Sequence, residues 1–267
     1  MKKLIVFVFS FLIFLSSCRN ESDRNLQTGK DYVLINNSLS HVIPLVIQSS
    51  LDPVELKAKL INQMDTINTC AQFQYVSGDT SIMTGEINYN IDFYQGCSDS
   101  DGVHKAGIMQ CNLNGFLNDV NGGCEVVFDG FQIGGYFLWG GFELNYLNAN
   151  TWQVITKDLR LQLSKKDIII ADTLVYDRVN GELTPDMLLD DQFLISTKGF
   201  LIDRNNEIGI GFSENLIKMA DCRWISQGIL EIELSNGQKQ VVDFGDNDCD
   251  NEAVFELNGN QYIIQMQ

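Results

Sequence analysis

The residues best suited to chemistry are acidic and aromatic. Cys97-Ser-Asp99-Ser-Asp101-Gly102 sets carboxylates on alternate residues before a glycine turn, an arrangement that suits an oxygen-seeking cation such as Ca²⁺. Asp246, Asp248 and Asp250, followed by Glu252, form a second acidic stretch of the same alternation. The first does not complete an EF-hand loop, since its first position would be Cys97 rather than aspartate and its last Ile108 rather than glutamate. Solvated acidic turns are the plainer reading, so Ca²⁺ enters only as a candidate structural ion, and no other cofactor is expected. From Phe128 to Phe142, six aromatic side chains are interspersed with glycines. Aromatics on a curved sheet could stack on a sugar or apolar ligand, with Tyr136 and Trp139 as the candidates, or fill a core while glycines permit bends. Catalysis is thinly provisioned. The chain has 2 histidines, His41 and His104, and neither belongs to a His-Glu-x-x-His motif or a close Cys/His group. A pair of carboxylates could hydrolyse a glycoside, but nothing selects two of the 35 acidic residues. A non-enzymatic protein is therefore expected.

One cysteine is set apart by what precedes it. Lys2 and Lys3 lead into an apolar run from Leu4 to Leu15, followed by Leu15-Ser16-Ser17-Cys18. The run is too short for a mature transmembrane helix, and Leu-Ser-Ser-Cys looks like a bacterial lipobox, in which the cysteine thiol receives diacylglycerol. Residues 1–17 are thus expected to be a lipoprotein signal peptide, Cys18 the lipidated residue, and 18–30 a polar tether. The expected membrane attachment is through this N-terminal lipid, at the cell envelope and by preference the outer membrane. The whole chain of 267 residues carries −17, and removal of the signal peptide with its two lysines makes it −19. Charge of that sign excludes nucleic acid as a main partner, and no basic cluster offsets it after residue 3.

The elements that must position these groups are punctuated by the other six cysteines. Cys70 to Cys97 and Cys222 to Cys249 are the same distance apart, 27 positions, and local features match as well. Gly85 and Gly237 each follow the first cysteine by 15 positions, and Ile91-Asp92-Phe93 is echoed by Val242-Asp243-Phe244. The spacing reads as a duplicated unit of cysteine, strand, glycine turn, returning strand and cysteine, with Cys70–Cys97 and Cys222–Cys249 as disulfides. Cys111 and Cys124 remain as a third, closer pair across a hairpin. Asp52, Pro53 and Glu55 start a helix expected over about 53–65, with Leu56, Leu60, Ile61, Met64 and Ile67 on one face. From Cys70 onward the period is that of strands, divided by Asn-Gly pairs at 114, 121, 180, 236 and 258. The expectation is an all-β fold: a long antiparallel meander, as a curved sheet, sandwich or barrel, with one short N-terminal helix. Residues 31–69 form the helix-bearing segment and 70–267 a single β domain.

Cys222-Arg-Trp-Ile-Ser-Gln-Gly228, Val242-Asp-Phe-Gly-Asp-Asn-Asp-Cys-Asp-Asn251 and Ile91-Asp-Phe-Tyr-Gln-Gly-Cys97 together resemble an uncharacterised family of secreted lipoproteins from Bacteroidota. Tyr94 departs from the glycine usual there, and Cys111 and Cys124 lie on segments that usually lack cysteine. The resemblance implies envelope localisation and β structure, and brings no activity with it. The favoured function is a lipid-anchored, non-catalytic β module for binding or envelope architecture. A carboxylate-dependent hydrolase of envelope polysaccharide and a calcium-stabilised ligand binder are the alternatives.

Overall fold

The computed structural model describes residues 26–62, 69–79, 86–99, 101–163, 166–181, 190–204 and 207–266. The signal segment, Cys18, most of the expected tether, Gly85 and the end of the expected helix after residue 62 lie outside them. Two helices come first, α1 (Gln27–Ser50) and α2 (Pro53–Asn62). Fourteen strands follow: β1 (Gln72–Gly78), β2 (Ile87–Asp92), β3 (Cys97–Ser98), β4 (His104–Gly115), β5 (Gly123–Ile133), β6 (Tyr136–Asn148) and β7 (Thr151–Leu163) lead. Then come β8 (Lys166–Asn180), β9 (Gln192–Arg204), β10 (Glu207–Met219), β11 (Ile225–Leu234), β12 (Lys239–Asp246), β13 (Glu252–Leu257) and β14 (Asn260–Gln265). They form one antiparallel sheet in sequence order, with the two-residue β3 paired to β4 off the main path. This is the expected meander. Short turns enforce it: Asn258 and Gly259 both have positive φ, +53° and +78°, as the two-residue hairpin between β13 and β14 requires.

The sheet is wound around α1. Of that helix's 24 residues, 21 are buried, and its side chains meet the sheet on every side. Tyr32 stacks on Phe200 of β9, with ring centroids 3.7 Å apart, and its hydroxyl donates to Asp172 Oδ2 of β8 at 2.8 Å. Ser50 shares a hydrogen bond with Tyr89 of β2 at 2.6 Å, and the Gly29 N–H donates to Gln240 Oε1 of β12 at 3.0 Å. Val42, Ile43, Leu45, Val46 and Ile47 fill the remaining space against inward residues such as Leu144, Val154, Leu230 and Phe255. No helix among the described residues is long and apolar enough to cross a membrane.

This helix corrects the expected tether over 18–30. Residues 27–30 are its first turn, with Thr28 and Gly29 buried, because small residues are needed where the helix meets β12 and β13. A Cβ on Gly29 would lie 2.6 Å from Gln240 Oε1 and 2.7 Å from a Phe255 ring carbon. The second helix agrees with the expectation at its start, where Asp52 Oδ1 accepts the Val54 N–H at 2.7 Å. Leu56 and Leu60 are buried as expected, whereas Ile61 is exposed.

Both duplicated units are present. Cys70–Cys97 brackets the β1–β2 hairpin, and Cys222–Cys249 brackets β11–β12. In each, the Asp of the Asp-Phe pair accepts the N–H two residues on: Asp92 Oδ1 from Tyr94 and Asp243 Oδ1 from Gly245. The third pair does not bridge. Cys111 and Cys124 are buried free thiols, because the β4–β5 register sets Cys111 opposite Val126 and Cys124 opposite Leu113. The two sulfurs therefore sit on a diagonal instead of facing each other directly.

Tyr94 and Gly245 occupy equivalent places, and both have positive φ, +52° and +87°. Glycine takes this conformation freely, whereas a side chain there costs about 1 kcal/mol. Tyr94 is largely exposed and contributes little packing in return. Tyr94→Gly is expected to raise the unfolding free energy by about 1 kcal/mol, read from the denaturant midpoint; a lower midpoint would refute the strain assignment.

Candidate functional site

The aromatic segment divides by strand alternation on β6 and by a register shift around Gly130 on β5. Phe128, Phe131 and Phe142 are buried in the core, while Phe137 and Trp139, two residues apart on β6, point outward and are 36% and 41% exposed. The core reading thus holds for Phe128, Phe131 and Phe142, while Phe137 and Trp139 lie on the opposite face of the sheet. The Phe137 and Trp139 rings lie 6.1 Å apart and within 20° of parallel, forming a flat platform. The Trp139 indole N–H donates to Gln162 Oε1 of β7 at 3.2 Å, which fixes the ring plane. Tyr136, the other candidate, is half-buried at the edge of the core.

The ladder extends this platform into a row. Trp139 stands opposite Arg160 of β7, Arg160 opposite Ile169 of β8, Ile169 opposite Asp203 of β9, and Asp203 opposite Ile208 of β10. Five strands at the usual spacing make this row about 19 Å long. Apolar and charged side chains alternate along it, with Ile169 and Ile208 substantially exposed. Its far end opens into a groove of about 820 Å³ over β10–β12, lined by Ile208, Ile210 and Phe212 with Glu231, Glu233 and Lys239.

The acidic loop has a different use. Lys105, fully buried, donates to Asp99 Oδ2 at 2.8 Å and to Asp101 Oδ2 at 2.9 Å. Asp99 Oδ1 also accepts Thr69 Oγ1 and the Cys70 N–H. A lysine ammonium of the chain itself thus lies between the two carboxylates considered for a cation. Asp246, Asp248 and Asp250 are exposed, and Asp250 Oδ1 accepts the Glu252 N–H. Among the described residues, no three His, Cys, Asp or Glu side chains are grouped to hold a metal.

His41 of α1 joins the two stapled units: Nδ1 lies 2.9 Å from Asp101 Oδ2, and Nε2 lies 2.8 Å from the Arg223 carbonyl beside Cys222. Both neighbours are acceptors, which suits a doubly protonated ring. Burial and then the Lys218 ammonium oppose that charge and draw its pKa down to about 4. Burial prevails, and at neutral pH one of the two contacts carries no proton. For Asp101, burial would raise the pKa, but His41 and Lys105 overcome it and hold the carboxyl well below the usual range. Lys218 is likewise buried, which lowers it to about 7, and donates to the carbonyls of Met219 and Cys222. His104, the second histidine, is exposed.

Two carboxyls are displaced toward neutrality. Burial pushes Asp172 up to about 6, although Thr197 and Tyr32 donate to it, and pushes Asp191 up to about 7 against the nearby Arg178. They are 6% and 3% exposed. Tyr32 is matched to Asp172, and Gln48 to Arg178, across long sequence separations that no local pattern marks.

Because the folded pKa of Asp172 lies above its unfolded value of 3.8, its contribution is full at low pH and is lost as pH rises through about 6. Comparison of the wild type with Asp172→Asn isolates this effect. The difference in unfolding free energy is expected to change by about 2 kcal/mol between pH 4 and pH 6, the wild type losing ground as pH rises; parallel profiles would contradict it. No protein family, curated protein or solved structure matches the chain.

Proposed function

We propose that this chain is a lipid-anchored, non-catalytic module of the cell envelope that binds glycan along the outer face of β6–β10. The observation that carries the reading is the Phe137–Trp139 platform: two large aromatic rings held flat and exposed on a strand whose neighbouring aromatics are buried. Sugar rings present C–H faces that stack on such surfaces, and their hydroxyls need polar partners beside the stack. Gln162 and Arg160 on β7 and Asp203 on β9 offer those partners in register with the platform. The alternation of apolar and polar side chains along the row fits an extended oligosaccharide better than a wholly apolar ligand. Anchoring through Cys18 is supported by the Leu15-Ser16-Ser17-Cys18 sequence and by the apolar run before it. An acidic chain on a lipid tether would stand off anionic lipid headgroups and keep this face free for ligand.

In affinity electrophoresis through gels carrying soluble envelope polysaccharides, the wild type is expected to be retarded. Trp139→Ala should migrate as in a plain gel, since stacking typically supplies about 1 kcal/mol or more per ring. Unretarded wild type across neutral and acidic glycans would remove the reading. Independently, Cys18→Ala is expected to move the protein from the membrane fraction to the soluble one, and unchanged fractionation would refute the anchor.

A further inference from the structure

The path of thirteen strands from β1 to β14 ends in two open edges, and their composition is unusual. Every strand between them carries at least one Asp, Glu, Lys or Arg, whereas β1 (Gln-Phe-Gln-Tyr-Val-Ser-Gly) and β14 (Asn-Gln-Tyr-Ile-Ile-Gln) carry none. Edge strands normally bear charge, proline or a bulge to prevent pairing with another chain. The first edge keeps one such protection, a register shift between Tyr75 and Ser77. The last edge keeps none: β14 runs in unbroken register against β13, has no proline, and presents Ile263 at 68% exposure. Among the described residues no backbone group pairs with its outer side. Open space borders it as well, a groove of about 440 Å³ along Ile263–Met266 whose other walls include Val33, Leu34, Tyr136 and Leu163.

The two edges are also unsuited to each other. With an odd number of strands in an antiparallel path, the first and last run in the same direction, so closure would need a parallel pair. A second copy related by a two-fold axis removes that conflict, because two identical edges then meet antiparallel. We propose that β14 is a homodimerisation edge, pairing with β14 of a second copy to continue the sheet across a two-fold axis. A register centred on Ile263 sets it against its own symmetry mate, Tyr262 against Ile264 and Gln261 against Gln265. Tyr262 and Ile264 pack toward the core and Ile263 points outward, so this register keeps core-facing residues on one side in both copies. The paired β14 strands carry no charge, although Lys30 and Asp31 line the groove beside them, while the whole chain carries −17, so net repulsion comes from the bodies and is screened by salt.

Sedimentation of the full chain in mild detergent is expected to show a reversible dimer whose population grows with ionic strength. Ile263→Lys, which places like charges across the axis on an exposed side chain, should raise the dimer Kd by about tenfold or more, while Ile263→Thr retains the dimer. A synthetic peptide of the β14 sequence should compete. Hydrogen exchange should show amide protection over 260–265 that fades on dilution. A monomer at every concentration and salt would overturn the proposal. So would a dimer that Ile263→Lys leaves intact, or one whose concentration-dependent protection lies outside 260–265.

Discussion

Everything in this structure is arranged around the enclosure of a polar helix. A helix with one apolar stripe can lie on a sheet, but α1 also buries Thr28, Asp31, Asn36, His41, Gln48, Ser49 and Ser50. Leaving one such group unmatched costs about 1–3 kcal/mol, so the inner face of the sheet must carry partners at the right heights. Tyr89 meets Ser49 and Ser50, Asp101 meets His41 and Arg178 meets Gln48, while Asp172 and Gln240 accept the helix's Tyr32 hydroxyl and Gly29 N–H, so the contacts come from elements spread across most of the sheet. The partners specify where each strand sits around the helix, which aliphatic packing alone would leave loosely determined.

The disulfides reinforce that arrangement at two places. Each closes a hairpin, and both lie next to groups that His41 contacts: Asp101 follows Cys97, and Arg223 follows Cys222. The buried lysines serve the same end, Lys105 neutralising the carboxylates beside the first staple and Lys218 capping carbonyls beside the second. The loop of Asp99 and Asp101 thus belongs to the joint between helix and sheet, whereas Asp246, Asp248 and Asp250 stay exposed.

Features that repeat locally were legible in the sequence. Equal cysteine spacing identified both disulfides, Asn-Gly pairs marked hairpins, and Asp52-Pro53 marked the start of α2. The central helix was not legible, because a helix buried on all sides shows no amphipathic period, and Pro44 with several Asn and Ser residues reads as loop. The pairing of Cys111 with Cys124 failed for a different reason: an even cysteine count says nothing about whether two thiols face each other or sit diagonally across a ladder. In the calcium-like loop, the alternation of Asp99 and Asp101 was real, but Lys105, four residues beyond, supplies the cation. In the aromatic segment alternation sets Phe137 and Trp139 on one face, but Phe128 and Phe131, three residues apart, share the core only because the ladder shifts register at Asp129-Gly130, which the sequence pattern does not show.

The proposed glycan binding and edge pairing both presuppose that the sheet is held in shape from within. Native-state hydrogen exchange of the amides of residues 27–50 tests that most directly. If α1 is the organising element, its central amides around Val42–Ile47 exchange only through global unfolding, with the same free energy as the inward strands β6–β9. Exchange of α1 through a local opening of much lower free energy, with those strands still protected, would contradict the account.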